Sequence, residues 1–225
     1  MSSGLIKLDI DPANLDADGI CESQTVAANS PLALNGALCD LGTAGQFDIG
    51  DAYSSGVGGV KLLFDAAGDI NTSVLTITGK DQDGNAITEA VTGVTATAVS
   101  TTKYYSQVTA INVTVAEATA IFVGTVTGEL VTKTIPINHH SQNAAAVAVS
   151  GLAGTCQFDL EQTFDDLRTT TGGNAGWFVV SAAGTNATTN IATVAAFGAT
   201  GVRCKFDSYS DGAELQFHVS YNPVE

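Results

Sequence analysis

Val74-Leu75-Thr76-Ile77-Thr78-Gly79 alternates apolar and polar residues, and so does Ala86-Ile87-Thr88-Glu89-Ala90-Val91-Thr92 after a short polar break. A period of two is the signature of a half-buried strand, so the pair reads as a β-hairpin. The intervening Lys80-Asp81-Gln82-Asp83-Gly84-Asn85 supplies Asp and Asn for side-chain-to-backbone bonds and Gly84 for a positive φ.

Working outward, the same alternation predicts strands at Val57 to Phe64, Tyr104 to Val108, Ala110 to Val115, Ala120 to Thr125 and Glu129 to Ile135. Pro136 closes that series, and the chain runs through His139-His140-Ser141-Gln142-Asn143 into a second one. Its strands are expected at Ala144 to Ser150, Thr155 to Thr163, Trp177 to Val180, Val202 to Ser208 and Glu214 to Tyr221. Short, evenly spaced strands predict an all-β chain of two tandem β-sandwich domains, jelly-roll or Ig-like, spanning 25–136 and 137–225. Residues 1–24 are expected as an extended N-terminal arm, with Leu5, Ile6, Leu8 and Ile10 as its partner-binding side chains. Ser23 to Leu34 reads as loop or arm, and Ile191 to Phe197 as one or two helical turns. Gly45-Gln46-Phe47-Asp48-Ile49 echoes Thr155-Cys156-Gln157-Phe158-Asp159-Leu160, and Lys61-Leu62-Leu63-Phe64-Asp65 echoes Arg203-Cys204-Lys205-Phe206-Asp207, a weak sign of duplication.

The 225 residues include 8 basic and 23 acidic side chains, a net charge of −15. So few dispersed cations cannot build a phosphate-binding surface, which argues against nucleic acid as a partner. Thr169 to Val202 is uncharged and long enough to span a bilayer, but Thr, Asn, Gly and Ser interrupt it too often for lipid, so no membrane association is expected. The start, Met1 to Asp9, lacks the basic and apolar regions of a signal peptide, and a cytoplasmic product is expected.

Candidate chemistry is sparse. Cys21, Cys39, Cys156 and Cys204 show no C-x-x-C spacing and read as buried thiols, with Cys156 and Cys204 facing each other across two strands as a disulfide alternative. Asp81-Gln82-Asp83-Gly84-Asn85 and Asp16-Ala17-Asp18-Gly19 resemble the start of a calcium loop, but Thr92 stands where the first would need its bidentate Glu. Both are expected as turns, and no metal or cofactor is expected. His139 and His140 point to opposite faces if extended, and His218 shares a face with Gln216 and Ser220. Gly172-Gly173-Asn174-Ala175-Gly176 precedes a strand rather than a helix and reads as a loop. Trp177-Phe178 is expected in the core, with an exposed adhesive patch as the alternative.

The order of these segments carries a resemblance. Thr76 to Gly93, with Thr102-Lys103-Tyr104-Tyr105-Ser106-Gln107-Val108-Thr109 downstream, resembles a module of virion structural proteins of tailed bacteriophages. Gln157-Phe158-Asp159-Leu160-Glu161-Gln162-Thr163-Phe164-Asp165-Asp166, then Trp177-Phe178 and a terminal strand pair, is similar to a C-terminal module of such proteins. The likeness spans roughly residues 47 to 225. It implies a non-enzymatic capsid decoration or cement protein that bridges subunits of the major capsid protein. It also implies a homo-oligomer, a trimer above other states, made in the host cytoplasm and carried on the virion. Two rivals follow from the residues: a tail or head-fibre protein holding glycans on exposed Trp177, Tyr209 or Tyr104, and a glycan hydrolase using carboxylates at Asp165-Asp166 or Asp207-Asp211.

Overall fold

The structure is a computed structural model, and it describes residues 4–12, 15–39, 41–93, 97–125, 128–137, 145–171, 173–210 and 212–221. Among them are nineteen strands. In chain order these are β1 (Gly4–Ile10), β2 (Cys21–Val26), β3 (Ser30–Pro31), β4 (Phe47–Asp48), β5 (Val57–Val60), β6 (Leu63–Ala66), β7 (Val74–Lys80), β8 (Ala86–Thr92), β9 (Val99–Ser100) and β10 (Gln107–Val113). There follow β11 (Glu117–Gly124), β12 (Leu130–Thr132), β13 (Ile135–Pro136), β14 (Ala146–Ala153), β15 (Cys156–Thr163), β16 (Phe178–Val179), β17 (Ile191–Val194), β18 (Gly201–Tyr209) and β19 (Glu214–Tyr221). Helix is confined to α1 (Ile49–Ala52) and two 3-10 turns, so the chain is all-β and built from antiparallel sheets.

Two compact units form, each from interleaved segments: Met1–Ala13, Tyr53–Gly58 and Glu129–Glu225 make one, Asn14–Ala52 and Gly59–Gly128 the other. This differs from a division at residues 136 and 137, because Leu130–Thr132 and Ile135–Pro136 are ladder partners of β18. The chain between, residues 138–144 with His139 and His140, lies outside the described residues.

The second unit holds two sheets, ordered β3-β10-β7-β8 with β4 beside β10, and β2-β11-β6-β9. The β7–β8 hairpin forms in the expected register, Val74 opposite Thr92 through Lys80 opposite Ala86. Asp81 builds its turn: one carboxylate oxygen accepts the Asp83 and Asn85 amides, each at 2.9 Å, and Gly84 takes φ +83°. The candidate calcium carboxylate is thus committed to backbone N–H groups. Asp16 does the same locally, accepting the Asp18 amide at 3.2 Å. The two strands expected over 104–108 and 110–115 are one, β10, with a bulge between Val108 and Ala110. A second strand backbone comes so close at Gly79 that a Cβ there would lie 1.9 Å from the Gln107 carbonyl oxygen. Leu75, Ile77, Val108, Ile111, Val113, Ile121 and Val123 are fully buried, the apolar phase of each alternation.

The first unit also holds two sheets. One is ordered β1-β19-β14-β17, the other β16-β15-β18-β12-β5 with β13 beside β18. Residues 1–24 are therefore not an arm over their described length. Gly4–Ile10 pairs with β19 along its whole span, Gly4 opposite Tyr221 and Ile10 opposite Leu215, and Cys21–Val26 pairs with β11. Seven consecutive residues alternating in polarity satisfy their backbone groups on a neighbouring edge better than in solvent. Ile191 to Val194, expected as helical turns, is a strand on β14. Its Ile, Thr and Val are β-branched, and Ala192 and Val194 meet Ala148 and Ala146 on one face. Cys156 stands opposite Tyr209 and Cys204 opposite Leu160, so the cross-strand facing expected of these thiols does not occur. All four cysteines are buried thiols.

Candidate interaction surface

β15 and β18 are the central pair of the first unit's larger sheet, and each strand face has its own chemistry. Phe158 opposes Phe206 and Leu160 opposes Cys204 on the apolar side. On the other, Asp159 opposes Lys205 and Glu161 opposes Arg203. Asp159, Glu161 and Arg203 are buried and Lys205 is half-buried, so the charges must pair. Arg203 Nε lies 2.7 Å from Glu161 Oε2. Lys205 Nζ lies 2.5 Å from Asp207 and 3.4 Å from Asp159. Burial disfavours the Lys205 ammonium, but Asp207, Asp159 and Glu161 together outweigh that and lift its pKa above the usual lysine value.

The segment between β15 and β18 covers this charged row. Asn186 donates its amide to Asp159 at 2.7 Å, and the Arg203 guanidinium carbon sits 4.1 Å from the centre of the Trp177 ring. That stacking half-buries Trp177, and the next residue cannot follow it inward. β16 pairs Phe178 with Gln162 and Val179 with Glu161, so Phe178 falls on the opposite side from Trp177.

Phe178 is 59% exposed and Phe164 47%. Their rings stand 6.1 Å apart at a tilt of 56°. Gln162, opposite Phe178, also accepts the Ala196 amide at 2.7 Å, which ties in the loop carrying Phe197, 69% exposed. Phe164 and Phe178 thus form an exposed aromatic pair at the edge of the sheet, and the core placement expected for Trp177-Phe178 holds in part for Trp177 and not for Phe178. Sequence reading missed Phe164 and Phe197. For Phe197 the available signal was the uncharged run from Thr169 to Val202, which lacks the charges that normally flank a solvated surface, whereas Phe164, followed by Asp165 and Asp166, carried no such signal.

The carboxylates proposed for hydrolysis are occupied in turns and ion pairs. Asp165 accepts the Gly176 amide at 2.6 Å, closing the Gly-rich loop. Asp166 is held bidentately by Arg168, with both contacts at 2.9 Å. Asp207 pairs with Lys205, and Asp211 lies outside the described residues. Of the aromatic residues suited to sugars, Tyr209 is buried and Tyr104 half-buried beneath the Lys61 ammonium.

The four side chains expected to bind a partner divide by face. Ile6, Leu8 and Ile10 oppose Val219, Phe217 and Leu215, which are buried, and Ile10 is itself 2% exposed. Leu5 points the other way and is 63% exposed. It shares the outer face with Lys7, Asp9 and the half-buried His218, whose Nε2 lies 2.8 Å from Ser150 Oγ. A cavity of about 140 Å³ at the end of β1 is lined by Asp9, Asp11, Ser54, Glu214 and Gln216. Ser54 Oγ donates to the Asp9 carbonyl oxygen and accepts the Asp11 amide, which fixes the strand end. Among the described residues, no helix is long and apolar enough to cross a membrane, and no group of three or more His, Cys, Asp and Glu is placed to hold a metal.

No family model matches the chain, and no curated protein or solved structure is significantly similar to it.

Proposed function

We propose that this protein is a structural component of a tailed-phage particle, a capsid decoration or cement protein that attaches to the shell of the major capsid protein and acts by binding rather than by bond making. The reading puts it on the virion surface as a homo-oligomer, a trimer above other states, built from two sandwich-like units. One observation carries it: Phe164 and Phe178, both exposed, stand 6.1 Å apart at the edge of an otherwise strongly acidic all-β framework. Apolar patches held on a rigid scaffold are contact surfaces, and a net charge of −15 complements basic patches on a partner and steers encounter with them. Several modest contacts made by one oligomer then reinforce each other by effective concentration. The segment order quoted above supports the same reading.

The glycan-binding alternative draws less support, because the exposed rings are Phe, which offers no polar handle, whereas Tyr209 is buried. The test is to add the purified protein to expanded capsids lacking it and sediment the mixture at rising salt. Saturable binding at a copy number comparable to the major capsid protein, weakening as salt rises, is the expected result. No co-sedimentation at low salt, or saturation at a small fraction of that copy number, overturns the reading in favour of a tail or vertex role.

A further inference from the structure

We infer that β1 is an exchangeable strand: copies of this chain join by trading Gly4–Ile10, so that each copy's β1 completes the β19 edge of another. What occupies that edge is on view, a ladder running from Gly4 opposite Tyr221 to Ile10 opposite Leu215. Backbone pairing depends on the residues and not on which molecule supplies them. A second copy's Gly4–Ile10 therefore satisfies β19 as fully as the chain's own.

The way β1 is held singles it out. No tight turn ties it to its partner, as the Asp81–Asn85 turn ties β8 to β7, and among the described strands it pairs with β19 alone. Its side chains grip lightly: Leu5, Lys7 and Asp9 are exposed, Ile6 and Leu8 half-buried, and Ile10 alone fully buried. At its end a single hydroxyl, Ser54 Oγ, holds the Asp9 carbonyl oxygen and the Asp11 amide, both open to solvent. Asp11 precedes Pro12 and is confined to extended conformations, so the strand leaves the ladder straight. The chain passes into the other unit at Asn14, whose two sheets contain no residue of β1. Charge does not oppose a donated strand either, because Lys7 and Asp9 neutralise each other at 3.0 Å in a chain that carries −15. An open β19 bares its edge beside Leu215, Phe217 and Val219 and must close again. The chain's own strand is present at an effective concentration on the order of mM, so a neighbour's strand competes where copies are crowded or fold side by side.

The inference is independent of the capsid reading and is tested on the free, full-length protein. Lys7 stands directly opposite His218, within reach of a disulfide if both are cysteine. Chains carrying Lys7→Cys and, with a tag, His218→Cys are mixed in urea, refolded together under reductant at several concentrations, diluted, and oxidised with glutathione disulfide; the four native thiols are buried in the folded chain. A disulfide between the two different chains forms only where a strand has been traded. Its share is expected to rise about tenfold for a tenfold rise in refolding concentration while it is the minor product. The doubly substituted chain reports whether the positions can bond, by closing within itself. No mixed disulfide while that chain closes, or mixed and like-with-like disulfides in the proportions of random collision, would overturn the inference. Should the doubly substituted chain not close, sedimentation velocity of refolded wild type with excess peptide 4–12 decides: a dimer that the peptide abolishes supports exchange, and no dimer, or one indifferent to the peptide, overturns it. Chains that never trade strands but bind capsids sink this inference alone, and traded chains that ignore capsids sink only the capsid reading.

Discussion

Glu161 and Arg203 face each other with side chains 11% and 7% exposed. Their pairing offsets a desolvation cost that either ion alone would leave uncompensated. Glu161→Gln keeps the shape and removes the charge, leaving the guanidinium with Trp177 but without its carboxylate. The expected loss is about 3 kcal/mol of stability in urea unfolding monitored by Trp177 fluorescence; a variant as stable as the wild type would show that the pair contributes nothing net. This pair was hidden in the sequence, since Glu161 and Arg203 are forty-two positions apart and only the register of β15 on β18 brings them together. The turn role of Asp81 was legible, because it depends on neighbours two and four residues away.

At the scale of elements, alternation located most strands, and β8 and β19 agree with their expected bounds to the residue. It erred where an edge was involved. A lone amphipathic strand such as β1 reads like an arm, since nothing local names its partner two hundred residues on. Removal of residues 2 to 20 therefore strips β19 of a ladder partner and exposes Val219, Phe217 and Leu215, so it is expected to lower the melting temperature and provoke aggregation rather than to abolish attachment alone. Leu5→Ser, on the outer face, is expected to change stability by no more than about 0.5 kcal/mol. Differential scanning calorimetry on both variants separates the two effects; equal melting of the deletion and the wild type would restore the arm. The uncharged 169–202 segment was visible as composition, but the side of β16 that Phe178 occupies was fixed only once Trp177 had stacked on Arg203.

For the whole molecule, burial of thiols and phenols makes stability depend on alkaline pH. Burial pushes the Cys204 and Cys21 thiols well above their ordinary 9.0 and Cys156 up to about 11. It also raises Tyr105 and Tyr209, with Glu89 and Tyr53 adding to the effect. Between the unfolded and folded pKa values the unfolded chain has released the proton and the folded one retains it, so stability falls as pH rises. It is fully present below the unfolded pKa, and each such fully buried thiol, Cys204 first, contributes a decline of about 1.4 kcal/mol per pH unit above it. Urea midpoints are expected to be flat in this respect from pH 7 to 8 and to drop from pH 9 to 11. Replacing Cys204 with Ala should shrink the slope, and an unchanged slope would assign the loss elsewhere.

The interleaving of the two units reaches further than stability. Neither can be cut out as one continuous stretch, so a protease nick at Gly128 would not liberate an autonomous fragment, and expressing 129–225 alone would yield a sheet missing the strand that Gly4–Ile10 supplies. On the ribosome, that strand is made about two hundred residues before β19 and must wait for it before its backbone finds a ladder. Contacts so distant in sequence fold slowly, and during the wait the nascent chain carries an unsatisfied apolar ribbon that chaperones, or a neighbouring nascent copy, would be the first to meet.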